Sequence, residues 1–543
     1  MKFNKTNKII VSVSLVVWII VGIFFFKTDK VVADNDSNTL STYKQIQQFN
    51  EVLFKLRDNY VDTLKIEKLI DTAIEGMLSE LDPHTVYFQP EDFKDFTTNT
   101  KGEFGGLGIT ISKRGKYITV VSPLEGTPAY RMGILAGDKI VKVDGESVVG
   151  ISTKDAVKKM RGPKGSKVLV TIKRPGVKNE LDFRITRDII EIKSIPYAFK
   201  MDNGAGYIRV RQFNAHTTKE LREKLNELEN AGIRGLVIDL RYNPGGLLRE
   251  AINTVNEFIG ADKRVVYTKG KNPEVNREYY THYNRMRSGY PIVVLINQGS
   301  ASAAEIFAGT LQDYDKALVV GKTSFGKGSV QRLFPLSDNH GVKVTTAKYY
   351  INSGRCIHKD INDEILTNEN LTEAEIEEMR EEAEEKSKKD IHHTKNGRIV
   401  YGGGGITPDI EIEQSTLNDF EIKLRQKNTF FNFAVKYMLK HKDEVSEDFT
   451  IDDTIFNQFL TFIENDSINY EPAQLDSSEK WIKNSIKKEI ISKKFGQEAG
   501  YKVGIKIDKQ LNEALKYLEE FDSTDKMLSY AEEQKTVKPK EPK

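Results

Sequence analysis

The sequence predicts a multidomain protein of mixed α/β and α+β class. Its 543 residues are too many for one hydrophobic core. Residues 192–412 alternate apolar strand-like runs with amphipathic helical runs, whereas residues 99–190 contain short β-type runs separated by glycine. We therefore expect an N-terminal transmembrane helix, a helical unit, a compact β unit, a layered α/β core with a helical insertion, and a C-terminal helical extension.

The composition excludes several classes of function. The 81 basic and 79 acidic residues give a net charge of +2, which offers no electrostatic reason to expect nucleic acid as a partner. The single cysteine, Cys356, excludes internal disulfides and metal sites built from several thiolates. It follows a strand-like run and no histidine motif accompanies it, so we interpret it as structural.

The first residues predict a membrane anchor. Residues 9–26 form an uncharged run near the lower length limit for a spanning helix, and three lysines in residues 1–8 predict a cytoplasmic tail. A cleavable signal peptide is the alternative, with a small-residue site at residues 31–33. We favour an uncleaved anchor because that site lies seven residues beyond the run. Either reading places the rest of the chain outside the cytoplasm, in the periplasm if the envelope has two membranes.

A polar linker, residues 27–37, precedes the predicted helical unit of residues 38–98. Apolar residues recur at helical spacing from residue 49 to residue 78. Leu81-Asp82-Pro83-His84 ends this helix, because proline lacks an amide proton and restricts the residue before it.

The β unit, residues 99–190, carries a candidate peptide-binding loop. Gly106, Leu107, Gly108 and Ile109 enter a strand from a glycine cluster, whose backbone N–H groups can hold a carboxylate while the strand offers an open edge. A helix at Thr153–Met160, capped by Ser152, would form the other wall of the groove. A tight turn is the plainer reading of the glycines alone.

The residues that follow this loop are more specific. The runs Gly126-Thr127-Pro128-Ala129, Gly133-Ile134-Leu135-Ala136-Gly137-Asp138 and Val143-Asp144-Gly145 resemble a PDZ domain. The resemblance implies recognition of the C-terminal tails of other proteins by strand addition.

The α/β core is predicted over residues 191–415, with a largely parallel sheet. A charged stretch at about 363–396 opens with a capping box and reads as a solvated helical insertion. Residues 416–531 read as helices rich in phenylalanine, and residues 532–543 as a disordered tail.

Ser302 stands where an apolar strand gives way to a helix, in Gly299-Ser300-Ala301-Ser302-Ala303-Ala304-Glu305. Its spacing to Glu305 fits a capping box. The same position also suits a nucleophile, because the free N–H groups and dipole of a helix start stabilise an oxyanion. Local sequence alone favours the cap.

Lys327 lies 25 residues downstream between two glycines, in Phe325-Gly326-Lys327-Gly328-Ser329-Val330-Gln331. A lysine that serves as a base must be neutral, which requires burial to lower its pKa. The spacing thus suggests a base without demonstrating one.

Together with Arg241-Tyr242-Asn243-Pro244-Gly245-Gly246, these motifs resemble those of the C-terminal processing (tail-specific) serine peptidases. The resemblance covers roughly residues 40–412 and implies a crotonase-like layered core. It implies that Ser302, not Ser300, is the nucleophile and that Lys327 is the general base. The remaining implied roles are an orienting amide at Gln331, an oxyanion hole from Ala303 with Gly245 or Gly246, and a supporting carboxylate at Asp313. For Asp313 a plain helix-terminal aspartate is the simpler interpretation.

The sequence therefore predicts a serine endopeptidase with a Ser–Lys dyad that acts on envelope proteins with exposed C-terminal tails. It needs no metal or cofactor, and homo-oligomerisation is left open. The elbow motif GxSxG is absent around Ser302 and HExxH is absent throughout, so neither an α/β-hydrolase nor a zinc peptidase is supported. The alternative is a catalytically inactive PDZ scaffold or binding protein on a protease-like core.

Overall fold

The computed structural model describes residues 36–360, 371–388 and 390–537. The predicted cytoplasmic tail and membrane anchor, residues 1–26, lie outside the described residues. Among the helices of the described residues, none is both long enough and apolar enough to cross a bilayer.

The chain divides into two compact units at Met77 and Leu78. Helix α1 (Asp36–Asn59) and most of helix α2 (Ile66–Ser79) belong to the first. Helix α1 includes the last two residues of the predicted linker, 27–37, whose other residues are not described.

The second unit begins with strand β1 (Val86–Phe88), helix α3 (Pro90–Lys101) and strand β2 (Glu103–Gly106). Proline occupies the first position of α3, where its missing N–H costs nothing. Strand β2 pairs antiparallel with β9 (Asp188–Glu191), so the two strands bracket the β unit between them.

The β unit is an antiparallel sheet of order β3-β4-β5-β7-β8, with β6 paired to β5. Strand β3 is therefore an edge strand of this sheet, as predicted. Ser152 Oγ accepts a hydrogen bond from the Asp155 N–H at 3.1 Å, which confirms the predicted cap. The elements are β3 (Ile109–Arg114), β4 (Tyr117–Pro123), α4 (Pro128–Arg131), β5 (Lys139–Val143), β6 (Glu146–Ser147), α5 (Thr153–Met160), β7 (Lys167–Lys173) and β8 (Leu181–Thr186).

The core contains a sheet of order β10-β11-β12-β15-β16-β21, parallel except where β10 meets β11. Three helices pack one face of it into a continuous apolar cluster. The strands are β10 (Tyr197–Lys200), β11 (Ala205–Arg209), β12 (Gly235–Asp239), β15 (Ile292–Ile296), β16 (Leu318–Gly321) and β21 (Ile410–Glu411), and the helices α6 (Thr217–Asn230), α7 (Leu248–Ile259) and α8 (Ala303–Asp313).

The prediction of a largely parallel core was incomplete, because a second sheet is wholly antiparallel. Strand β18 is its centre and pairs with β1, β13 and β17. Its core strands are β13 (Arg264–Lys269), β14 (Glu278–Tyr280), β17 (Ser329–Pro335) and β18 (Gly341–Ile351). Its hairpins β13–β14 and β17–β18 are local, but β1 and β13 join β18 across long stretches of chain, and no sequence pattern predicts those pairings.

The predicted insertion at 363–396 divides into two parts. Helix α9 (Glu373–Ser387) is charged, as expected. Strands β19 (Ile391–His393) and β20 (Ile399–Tyr401) then form a hairpin. Arg398, at its returning strand, is buried and binds Asp315 at 2.7 Å and Asp409 at 2.6 Å. This end of the insertion is thus part of the core and not a solvated segment.

The C-terminal extension is helical, as predicted for 416–531, but the last helix continues to Val537. Part of the predicted disordered tail, 532–543, is therefore helix, and residues 538–543 are not described. The helices are α10 (Asp419–Gln426), α11 (Thr429–His441), α12 (Asp453–Asn465), α13 (Pro472–Phe495), α14 (Gln497–Gly504), α15 (Lys509–Glu520) and α16 (Thr524–Val537).

The extension serves two packing purposes. Helices α10–α13 enclose their own cluster, in which Phe459 stacks on Phe430 and meets Phe433 edge-on. Helices α15 and α16 instead cover the second face of the parallel sheet, where Leu511 is fully buried in a cluster with Val237. The parallel sheet therefore has helices on both faces only because the extension supplies those of the second face.

Helix α11 also contacts the PDZ-like β unit. The Phe431 ring lies 3.5 Å from the Arg114 guanidinium and 3.7 Å from the Lys493 ammonium group, measured to the ring centroid. Two cations this close to one centroid must occupy opposite faces of the ring. Burial lowers the pKa of Lys493 to about 8 despite its partner Glu489. Phe431 therefore separates two partly desolvated positive charges.

We predict that Phe431→Ala loosens the β unit from the extension, because it deletes a buried ring and leaves the two cations facing each other. The expected loss is about 3 kcal/mol, typical of a buried phenylalanine. Faster hydrogen exchange in β3 and β4 would report it. Phe495→Ala, at the half-exposed end of α13, serves as the control. Equal exchange in both variants would contradict the prediction.

Candidate active site

Ser302 is the N-cap of α8, at the carboxyl end of the buried parallel strand β15. Its backbone has φ +55° and ψ −115°, a conformation that costs a non-glycine residue about 1–3 kcal/mol. The side chain is half-buried. A strained serine at a helix start, within reach of solvent, has the position of a nucleophile.

Ser300 has a different environment. It is fully buried, its Oγ donates to the Leu240 carbonyl at 2.8 Å, and it accepts from the Asn297 N–H at 3.0 Å. The Ala301 N–H donates to the Asn243 carbonyl at 2.9 Å. These bonds fix the turn that presents Ser302 and leave Ser300 a structural role.

Glu305 joins the Ser302 turn to the Lys327 loop. Its Oε2 accepts from the Ser302 N–H at 2.7 Å and the Lys327 N–H at 2.9 Å. Its Oε1 accepts from Ser324 Oγ at 2.5 Å and the Gly326 N–H at 2.7 Å. Because one oxygen serves both backbones, the two predicted catalytic residues are held side by side.

Complete burial raises the pKa of Glu305 to about 7, although the four hydrogen bonds that it accepts work in the opposite direction. The carboxyl that links the Ser302 and Lys327 backbones therefore changes its ionisation near neutral pH.

Tyr349 makes a second link between the same two segments. Its buried hydroxyl lies 2.5 Å from the Lys327 carbonyl and 3.2 Å from the Ser302 carbonyl. Burial raises the pKa of Tyr349 well above its ordinary value, with the nearby Glu305 carboxylate adding to the effect. The phenol therefore stays protonated and able to donate.

Lys327 is half-buried, and its flanking glycines are required by close packing. A Cβ on Gly326 would lie 2.7 Å from the Lys359 Cβ, and one on Gly328 would lie 2.5 Å from the His358 N–H nitrogen. Both glycines therefore let the loop approach the neighbouring strand segment, as their pattern suggested.

Gln331 lies on β17 beside a bulge, since Val330 pairs with Ala347 whereas Gln331 pairs with Thr345. Bulges commonly redirect a side chain next to a functional site. The Gln331 Nε2 donates to Ser329 Oγ at 2.9 Å and to Thr345 Oγ1 at 3.3 Å. The amide nitrogen is thus committed to its own sheet.

Residues 241–246, called the glycine loop below, lie directly beside Ser302. A Cβ on Gly245 would stand 2.7 Å from the Ser302 Cβ and 2.8 Å from the Ala303 nitrogen. The Gly245 N–H itself donates to Asn243 Oδ1 at 2.8 Å. Gly246 is exposed. Of the two predicted glycines, Gly245 therefore leaves space at the serine, while its N–H is already engaged.

Asp313 is not brought to Ser302. It ends the eleven-residue helix that Ser302 begins, about 16 Å away at 1.5 Å per residue. There it is fully buried, binds Arg355 at 2.9 Å and accepts from the Ser353 N–H at 2.7 Å. Asp313 is therefore too far from Ser302 to give the site the direct support that the resemblance implied.

The predicted peptide loop leads into the edge strand β3. Gly108 has φ +76°, and a Cβ there would collide with Thr127 at 2.2 Å. Leu107 is buried, and its carbonyl accepts from the Ala129 N–H at 2.9 Å, whereas Ile109 starts the strand and Gly106 ends β2. Helix α5 follows on the same unit, as the groove requires.

Sequence reasoning missed three residues of the site and undervalued a fourth. The sequence identifies Glu305 only as a capping-box member, which it is, and does not single out Ser324, Thr345 or Tyr349. No local pattern marks them, because their partners lie far away in sequence.

Within the described residues, no group of three or more His, Cys, Asp or Glu side chains could hold a metal ion. Cys356 is half-buried, and burial raises the pKa of its thiol. A raised thiol pKa disfavours the thiolate, in keeping with a structural residue.

Models of known families match four stretches of the chain. They are the activating protease CtpB N-terminal domain over residues 24–92, the PDZ domain over 119–174, peptidase family S41 over 204–367, and a family of unknown function, DUF8443, over 420–496.

Several known proteins are similar over most of their length. The carboxy-terminal-processing protease of Bartonella bacilliformis is 41% identical over 348 residues, which are 63% of this chain and 80% of that protein. The carboxy-terminal processing protease CtpA of Bacillus subtilis is 35% identical over 351 residues, 64% of this chain and 74% of that protein. A solved photosystem II D1 C-terminal processing protease is 28% identical, covering 67% of this chain and 92% of its own, with a TM-score of 0.35.

We predict that Glu305 makes the protein less stable as pH rises from about 4.5 to about 7. The folded pKa exceeds the unfolded one, so the folded state binds the proton more tightly; this stabilisation is complete below pH 4.5 and lost above pH 7, a span of about 3 kcal/mol. Glu305→Gln should remove this part of the pH dependence.

Thermal midpoints of both proteins at pH 5 and pH 8 would test this. The drop between the two pH values should be smaller in Glu305→Gln than in the wild type. Glu421→Gln, at the same capping-box position of α10, controls for loss of a capping carboxylate. An unchanged drop in Glu305→Gln would show that this carboxyl does not titrate in the range.

Proposed function

This chain belongs to the carboxy-terminal processing proteases of peptidase family S41, and we propose that it is an endopeptidase with Ser302 as nucleophile and Lys327 as general base. The observation that carries the proposal is the shared carboxylate oxygen of Glu305, which holds the Ser302 and Lys327 backbones together. Tyr349 supports it by bonding the carbonyls of the same two residues.

In the proposed reaction, Ser302 Oγ attacks the carbonyl carbon of a peptide bond while the neutral Lys327 amine takes the hydroxyl proton. The C–N bond then breaks, and the ammonium returns a proton to the departing amine. Water hydrolyses the resulting ester with the same lysine as base. Gln331 would orient the lysine amine through its Oε1, because its Nε2 is bonded within the sheet. The lowered pKa that this requires of Lys327 stays a prediction.

The oxyanion would be bound at the start of α8, where the helix dipole also stabilises negative charge. We assign it the Ala303 N–H, the first of the helix, together with the Gly246 N–H. Gly245 is the weaker candidate as a donor because Asn243 already holds its N–H. Its lack of a side chain would instead leave room for the oxyanion beside Ala303.

Substrates would be proteins with exposed C-terminal tails. The open edge of β3 offers main-chain hydrogen bonds to an added strand, and the loop Gly106–Ile109 offers backbone N–H groups to the terminal carboxylate. The PDZ family match over residues 119–174 supports this assignment. Alternating side chains of the tail would then provide specificity.

We further propose that residues 9–26 anchor the protein with its catalytic part outside the cytoplasm, where envelope proteins would be its substrates. Protease accessibility of a C-terminal tag in intact cells and in detergent would test the orientation.

Ser302→Ala and Lys327→Ala should each abolish cleavage of an unfolded protein substrate, because each removes one partner of the proton transfer. Losses of at least a thousandfold in kcat are expected for residues that act as a unit. Lys322→Ala, which changes a half-buried lysine of the same loop bound to Glu411 and Glu413, should retain activity.

Labelling with a serine-directed acylating probe would separate the enzyme from the scaffold alternative. The probe should modify the wild type and fail on Ser302→Ala. A purified protein that neither cleaves nor reacts, yet binds C-terminal peptides, would favour the scaffold.

Gly245→Ala should reduce kcat at least a hundredfold, since the new methyl group would lie between the Ser302 and Ala303 atoms that meet the reacting carbonyl. Gly232→Ala is the matched control, because Gly232 also has a positive φ but open space around its Cβ position. Comparable activity losses in the two variants would attribute the effect to backbone strain alone.

A further inference from the structure

The segment Leu81–Thr85 reads in the sequence as a helix terminator and nothing more. In the structure it leads into β1, which pairs with β18 so that Val86 lies opposite Lys343. The Thr345 N–H donates to Thr85 Oγ1 at 3.1 Å. A loop from the beginning of the second unit therefore lies against the strand that faces Gln331.

Asp82 is the acceptor at the centre of this loop. Its Oδ1 accepts from the N–H groups of His84 at 2.9 Å and Thr85 at 3.1 Å, and from Thr345 Oγ1 at 3.0 Å. Its Oδ2 accepts from Thr85 Oγ1 at 2.7 Å. Burial alone would raise the pKa of Asp82, but the hydrogen bonds from Thr85, His84 and Thr345 outweigh it and lower that pKa. Asp82 is thus an ionised group that can only accept.

This fixes the direction of the next hydrogen bond. A threonine hydroxyl has one proton, and Thr345 must give it to the Asp82 carboxylate. Toward Gln331 the hydroxyl can therefore only accept. The Gln331 amide must accordingly present its Nε2 to Thr345, as it does at 3.3 Å, and to Ser329 at 2.9 Å.

We propose that Asp82, acting through Thr345, is a positioning residue that holds the Gln331 amide with its nitrogen toward the sheet and its oxygen available to the lysine amine. The role rests on the proposed function, in which Gln331 orients Lys327. Without an acceptor at position 82, as in Asp82→Ala, the Thr345 hydroxyl is free to donate instead to Gln331 Oε1. The Gln331 amide would then turn over and present a donor where an acceptor is needed.

The test compares Asp82→Ala and Thr345→Val in the full chain. Each should lower kcat about tenfold, the effect of one oriented hydrogen bond, with KM for the same peptide substrate unchanged. Thr346→Val, a neighbouring threonine on the same strand, should leave both constants as in the wild type. Thr345→Val keeps the test open if Asp82→Ala does not fold.

A double-mutant cycle distinguishes positioning from general stability. In a Gln331→Ala background, adding Asp82→Ala or Thr345→Val should cause no further loss of kcat. Losses that multiply with that of Gln331→Ala, or a rise in KM instead of a fall in kcat, would overturn the proposal. Failure of the proposed function has another signature, namely retained cleavage by Ser302→Ala and Lys327→Ala.

Discussion

Four hydrogen bonds to one buried carboxylate determine the geometry of this site. Glu305 accepts one hydrogen bond from Ser302, at the start of its own helix. The other three come from Ser324, Gly326 and Lys327, in the loop between β16 and β17. A carboxylate removed from water needs such donors, since unpaired it would cost several kcal/mol. The same donors cannot find an equivalent acceptor elsewhere without moving the loop. The hydrogen bonds that make the burial of Glu305 possible are therefore the same ones that hold the Ser302 and Lys327 segments in position.

The ion pairs of Arg241 support the glycine loop. Arg241, the first residue of that loop, binds Asp239 at 2.7 Å within the parallel sheet and Asp508 at 2.7 Å in the C-terminal extension. Burial lowers the pKa of Arg241, but these carboxylates outweigh it and raise that pKa well above its ordinary value. The extension thus does more than cover the sheet. Its Asp508 is one of the two carboxylates that pair with Arg241, the residue at which the glycine loop begins. A buried arginine with only one of them would be strongly destabilised.

The sequence predicted those parts of the site whose signal is local. Lys327 was identifiable because two glycines bracket it, and the packing against His358 and Lys359 explains why they are glycines. Glu305 carried a local signal as well, but its capping geometry concealed the three partners that lie 19 to 22 residues further on. Asp313 ends helix α8, as its position in the sequence predicts. Its contacts with Arg355 and Ser353 fit the plain reading as a helix-terminal aspartate better than the role that the resemblance implies.

The same contrast applies to the fold. The centre of the parallel sheet could be predicted because β11, β12 and β15 are compact apolar runs that are each followed by a helix. The antiparallel sheet could not, since β1 joins β18 across about 250 residues and no run announces the partner. This non-local pairing is what brings Asp82 to Thr345 and hence to Gln331.

The polypeptide between Asp82 and Lys101 has contacts at two places that concern function. At its start Asp82 and Thr85 bond Thr345, beside Gln331. Further along, helix α3 forms ion pairs with α5 and its C-cap, which belong to the proposed tail-docking groove, through Asp92 to Lys154 at 2.9 Å and Asp95 to Arg161 at 2.7 Å. Exposed ion pairs of this kind each contribute about 0–1 kcal/mol, whereas the Asp82 bonds are shielded and directional. Each hydrogen bond to Asp82 therefore holds this segment more firmly than each ion pair to α5 does.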